Sequence, residues 1–162
     1  MVGLALALVL AAGAPGADIR SAARALAPPR AHVILAQERG AEFGVVAFDD
    51  GVHSSALALR WRDRRWSRAA AGPIRVAVTA TRPTRGRVYV EMHLRASMAV
   101  AGDLALWIDG RPVDAASFPG RGRAVVTAVA AGLRPGRHVV TLFVAAGDFA
   151  TARAWSFRTP SR

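Results

Sequence analysis

Leu104-Ala105-Leu106-Trp107-Ile108-Asp109-Gly110-Arg111-Pro112-Val113, then Gly132-Leu133-Arg134-Pro135-Gly136-Arg137-His138-Val139-Val140-Thr141-Leu142-Phe143-Val144, then Ala154-Trp155-Ser156-Phe157-Arg158: these three segments decide the fold class. Each is a short run of β-formers bounded by glycine, proline or Asp-Gly, the residues that turn a chain sharply. Several such runs in succession point to an all-β, antiparallel β-sandwich.

Upstream, the same pattern continues from Ile74. Ile74, Val76 and Val78 alternate with polar or small residues. In Arg87-Val88-Tyr89-Val90-Glu91-Met92-His93-Leu94-Arg95 every even position is apolar and every odd one polar or amphipathic. That period of two is the mark of a strand with one buried and one wet face. With residues 124–130, 137–145 and 151–158 the count from Ile74 reaches six or seven strands. No long helical period intervenes, which argues against parallel βαβ folds.

The N-terminal part is organised differently. Residues 4–12 are uniformly apolar and are followed by Ala12-Gly13-Ala14 and Pro15-Gly16-Ala17. An apolar stretch with small residues behind it has the outline of a secretory signal peptide, and it is too short to span a bilayer. Residues 1–17 are expected to be that leader. Residues 18–30 read as a linker with a short helix over 19–27, ended by Pro28-Pro29. Residues 31–72 are expected to supply a β-hairpin extension or extra strands, over 32–37, 43–48 and 55–62. Asp49-Asp50-Gly51 marks the turn of a hairpin there. Residues 73–160 hold the sandwich.

All 22 basic residues are arginine, against 11 acidic ones, and the formal net charge is +11. Lysine and asparagine are absent and Gln37 is the sole glutamine. A skew of this kind has no folding rationale and reads as codon bias, yet the charge itself attracts anions. Cysteine is also absent, so disulfides, thiolate metal sites and cysteine nucleophiles are excluded.

The segment from Ile74 to Phe157 resembles bacterial immunoglobulin-like domains of the secreted, repeat-module type. Trp107-Ile108-Asp109-Gly110-Arg111-Pro112-Val113 is similar to their strand, Asp-Gly turn and short return strand. Leu133-Arg134-Pro135-Gly136-Arg137-His138-Val139-Val140 is similar to the entry to their penultimate strand, and Ala154-Trp155-Ser156-Phe157 to their terminal one. The resemblance implies an immunoglobulin-like sandwich outside the cytoplasm. It departs at Gly147-Asp148-Phe149-Ala150, which lacks the usual Gly-Asn, so the last tight turn is expected to change.

The candidate binding segment is Arg60-Trp61-Arg62-Asp63-Arg64-Arg65-Trp66-Ser67-Arg68. Arg60, Arg62, Arg64, Arg65 and Arg68 can pair with phosphates, sulfates or carboxylates, and Trp61 and Trp66 can stack on flat ligand faces. The bland alternative is a solvated turn in which Trp61 continues the core face of Leu57 and Leu59. In a continuous strand, Trp61 and Trp66 would face opposite sides. The four histidines show no metal-ligand spacing, and Met92-His93 with Met98 is a faint soft-metal pattern whose members alternate faces. The serines lack a nucleophile elbow and the glutamates form no acid/base pair.

The expectation is therefore a non-catalytic secreted or envelope module acting in protein interaction or assembly, with no catalytic residue, metal or cofactor. The expected partner is another envelope or extracellular protein. Two alternatives remain open: a module that binds an acidic glycan or an anionic lipid surface through residues 60–68, and an accessory subunit of a larger envelope enzyme or transporter. Nucleic acid is not an expected partner for an exported chain.

Overall fold

A computed structural model describes residues 16–97, 101–118 and 121–161. In chain order the elements are α1 (Gly16–Leu26), β1 (His32–Arg39), β2 (Phe43–Asp49), β3 (Ser54–Arg62), β4 (Arg65–Arg68), β5 (Arg75–Thr84), β6 (Arg87–Ser97), β7 (Gly102–Ile108), β8 (Arg111–Phe118), β9 (Arg121–Ala131), β10 (Gly136–Ala146) and β11 (Phe149–Thr159). The fold is an all-β antiparallel sandwich with one helix among the described residues. Of the signal-like leader expected over residues 1–17, residues 1–15 lie outside the described residues, and Gly16 and Ala17 open α1.

Three sheets are formed, ordered β1-β2-β3-β4, β11-β10-β7-β8 and β5-β6-β9. The β11-β10-β7-β8 sheet is the middle layer. One of its faces meets the β5-β6-β9 sheet, with Leu104, Leu106, Ile108, Val140, Leu142 and Val144 against Val88, Val90, Met92 and Leu94. Its other face meets the N-terminal sheet, with Ala105, Trp107, Phe143 and Ala145 against Leu35, Val45, Ala47 and Ala58. This explains why β7 and β10 are apolar at nearly every position rather than alternating: both of their faces are covered. In β6, which has one face in the core and one in solvent, burial alternates as the sequence predicts.

The N-terminal region is thus a full four-stranded sheet, and the chain past Arg62 adds a strand that the sequence pattern did not separate. Residues expected to link are instead a docked helix. Ile19 and Ala23 of α1 are buried against Val46, Phe48 and Leu59, the outward residues of β2 and β3. Gly44 makes the close approach feasible, because a Cβ there would run into the Ile19 side chain and the Trp66 ring. The altered final turn is no looser for lacking Gly-Asn: Ala146 still pairs with Phe149 across two residues, with Gly147 at φ 55°.

Two arginines clamp the outer sheet onto the middle one. At one end Arg137, opening β10, bonds Asp49 of β2 at 2.6 Å and Ser54 of β3 at 3.1 Å. At the other, Arg60 of β3 bonds Asp148 in the β10–β11 turn at 2.6 Å and Glu42 at 2.9 Å. Between them the Trp107 indole N–H donates to Gln37 Oε1 at 3.0 Å. Both clamps are largely shielded on the arginine side, where such charge-assisted bonds keep more of their strength.

Candidate functional site

The segment 60–68 turns back on itself, and the turn decides what its residues can do. Asp63 and Arg64 both adopt positive φ, 54° and 60°, which makes a two-residue hairpin between β3 and β4. The expectation that Trp61 and Trp66 face opposite sides assumed one continuous strand and is overturned. In the hairpin they are direct cross-strand partners on the same face, with ring centroids 5.3 Å apart and planes tilted by 55°. That tilted geometry suits an aromatic pair and leaves no flat double platform.

Trp66 is committed to packing. It lies over Gly44 and beside the α1 cluster, and its indole N–H is buried with no acceptor, so the ring is held by apolar contact alone. Trp61 follows Leu57 and Leu59 in parity, the bland alternative for that residue. Arg60 is committed as well: its two carboxylate partners raise its already high pKa, and its guanidinium lies over the Phe43 ring. It is part of the clamp between sheets, not a free cation.

The remaining arginines are exposed. Arg62 stands directly opposite Arg65, Arg64 occupies the turn, and Arg68 pairs in register with Leu59. Two local rules are broken here. Like charges placed opposite each other across strands repel. A long side chain at left-handed φ is strained unless something over-determines the position. Both costs fall on the same three cations, Arg62, Arg64 and Arg65, at the tip of one hairpin.

A second basic arrangement was invisible to a reading of contiguous residues. The sheet register aligns Arg75, Arg95 and Arg123 in one row across β5, β6 and β9. The Arg75 guanidinium turns back onto the carbonyls of Gly72 and Ile74. The signal for such a row lies only in strand pairing, since the three residues are far apart in sequence.

The groove beside the β1–β2 and β10–β11 turns is lined by Arg39, Glu42, Phe43, Asp103, Phe143 and Asp148. Glu42 and Asp148 share the Arg60 guanidinium, an arrangement that holds layers together. Asp49, at the other clamp, is pushed up by burial. The hydrogen bonds and charge of Arg137, with Ser54 and the Gly51 amide, outweigh this and hold its carboxyl below the ordinary aspartate value. Among the described residues no group of three His, Asp or Glu gathers as a metal site. Met92 lies in the core while His93 is exposed on the opposite face, and Met98 lies outside the described residues.

The three signature segments of the sandwich converge on one histidine. His138 is buried, its Nδ1 2.7 Å from Asp109 Oδ2 and its Nε2 2.7 Å from the Arg134 carbonyl, to which it donates. Asp109 Oδ1 accepts the Val139 N–H at 2.9 Å. The His138 ring stacks on Phe157 at 5.3 Å, and Thr159 Oγ1 donates to the Arg134 carbonyl at 2.6 Å. The Asp-Gly turn, the Pro-Gly-Arg-His entry and the terminal Trp-Ser-Phe strand thus form one hydrogen-bonded and stacked unit. These residues are used by the fold. No protein-family model, curated protein or solved structure matches the chain.

Proposed function

We propose that the protein is a non-catalytic, immunoglobulin-like interaction module of the cell envelope or the secreted fraction. The observation that carries this reading is the strand order of residues 74–159. Lettered A to G in sequence, the strands form sheets A-B-E and G-F-C-D. The immunoglobulin constant arrangement is A-B-E-D and C-F-G, so one edge strand has changed sheets. A departure accompanies it: the tryptophan of strand C, Trp107, points away from the sandwich core, into the added N-terminal layer. The His138 unit supports the same reading, because it joins the residues that carry the immunoglobulin-like resemblance.

The leader is the part of this reading that one measurement decides. Expressed in a bacterial host with a C-terminal tag, the protein is expected outside the cytoplasm. Its N-terminus, read by mass spectrometry, should lie between residues 13 and 18. Retention in the cytoplasm with Met1 or Val2 at the N-terminus would sink the envelope assignment.

A second reading is favoured by the strained hairpin: Arg62, Arg64 and Arg65 form an anion-binding tip for an acidic glycan or anionic lipid headgroup. A bound anion would relieve the repulsion that the hairpin otherwise bears. Binding to heparin or to phosphatidylglycerol vesicles should weaken as salt rises. It should fall at least about tenfold when the three arginines become alanine, as expected for charge-assisted contacts. The two probes separate the glycan from the lipid source. Unchanged affinity in the triple variant, or a loss seen only when Arg95 and Arg123 are replaced, refutes the hairpin as the site.

A further inference from the structure

Among the described residues six strands stand at sheet edges: β1, β4, β5, β8, β9 and β11. An unpaired edge is a template for another chain, and most proteins blunt it. Five of the six are blunted here. β1 shifts register at Ile34 and packs against α1. β4 is only four residues long with an arginine at each end. β5 contains Pro83 and a register shift after Val78. β8 has Pro112 in its second position and a shift at Val113. The flank of β11 is covered: its Ala150 N–H donates to the Ala70 carbonyl, and its Arg153 to the Val76 carbonyl.

β9 has such features only at its start, where Gly122 has φ 96° and Arg123 is exposed; from Ala124 on it has none among the described residues. It pairs with β6 over all 11 residues in unbroken register. Residues 124–131, Ala-Val-Val-Thr-Ala-Val-Ala-Ala, hold no charge and no proline. That composition is the sequence form of a strand that adds to other strands. On its outward face Val125 and Val129 are 61% and 64% exposed, more than any other large apolar side chain in a described strand. Ala124, Val126 and Ala130, on its inward face, are only partly buried at the open flank of the core.

We propose that β9 pairs with β9 of a second copy of this chain, antiparallel about a two-fold axis at Thr127. The edge is self-complementary in that register. Val125 meets Val129 of the other copy, Thr127 meets Thr127, and Val126 meets Ala128, all favourable cross-strand pairs. Arg123 falls opposite Ala131, so two strongly basic chains meet without placing one arginine against another. The product is one continuous sheet of six strands, three from each copy, and the closed symmetry stops growth at two. A different partner strand would need none of this internal symmetry, which is why a second copy is the occupant. The pairing does not depend on the envelope reading, since either can fail without the other.

The test uses purified protein. Sedimentation over a concentration series should show a monomer–dimer equilibrium. Val125→Lys with Val129→Lys, both outside the core, should weaken it at least about tenfold, since two like charges then oppose two others. The chain has no cysteine, so Thr127→Cys introduces a lone thiol at the axis. Residues directly opposite in an antiparallel pair lie within disulfide reach, so mild oxidation should yield a covalent dimer. Val52→Cys, exposed in the β2–β3 turn, serves as the control and should not cross-link above background. Circular dichroism verifies that each variant keeps its β spectrum. A monomer at every concentration, a dimer indifferent to the two lysines, or cross-linking no better at 127 than at 52 overturns the proposal.

Discussion

Replacing Trp107 by alanine is expected to remove about 3–5 kcal/mol of stability, the range for deleting a large aromatic side chain from a core. Trp107 is 1% exposed, and it is the largest fully buried side chain among the described residues. It comes from the middle sheet and fills the space between Ala105, Phe143 and the outer sheet. Its loss leaves a cavity where layers meet. It also strips Gln37 Oε1 of its indole donor and Arg39 of the ring beneath its guanidinium. Trp107→Phe should recover most of the packing while still losing the hydrogen bond, and so fall between the two. Chemical unfolding followed by circular dichroism measures this directly. A loss under about 1 kcal/mol for Trp107→Ala, the size of an ordinary surface change, would mean that the outer sheet does not pack on the middle one.

Gly110→Val is expected to cost about 2–5 kcal/mol, from two sources that a paired variant separates. Gly110 sits in the β7–β8 turn at φ 73°, where a β-branched residue is strained. A Cβ there would also strike the carbonyl oxygen of Ile34, the residue at the register shift in β1. Backbone cannot swing aside as a side chain can, so the outer sheet would have to move. Gly40 offers the comparison: its φ is 67°, and a Cβ would meet nothing within 4 Å. Gly40→Val should therefore show the strain alone, about 1–2 kcal/mol. Equal losses at the two positions would show that the contact between turn and outer sheet contributes nothing.

Both predictions concern the same seam, and that seam was the least legible part of the sequence. The strands themselves were clear. Alternation in β6 and the turn residues at 109–110 and 147–148 are local signals, and the β7–β8 and β10–β11 pairings follow those turns, whereas the turn at 135–136 carries the chain from one sheet to another. The apolar runs of β7 and β10 are compatible with two covered faces, but such a run does not say what covers them. Nothing local said that the second cover is the chain's own N-terminal half. The helix was visible as a pattern over 19–27, but its docking on β2 and β3 depends on Gly44 and Trp66, which lie well downstream.

The candidate segment divides in the same way. Its charge and its aromatics were plain, and their allocation was not. A two-residue turn with positive φ at Asp63 and Arg64 carried no Asn-Gly or Asp-Gly signature. Without that turn, strand parity sent Trp61 and Trp66 to opposite faces. With it, they meet, Trp66 goes under α1, and Arg60 is taken up by Asp148, which lies 88 residues away.

The sequence by itself determined an all-β antiparallel chain with strands and turns at known places, because period-two burial and turn chemistry are written in neighbouring residues. The tertiary structure alone decided that three sheets stack and that the middle one is buried twice. It also decided which arginines are clamps and which are free, and that β9 is the edge left open. Those outcomes depend on which distant carboxylates, carbonyls and side chains meet each group. In a β protein such meetings are set by long-range pairing, which no local pattern contains.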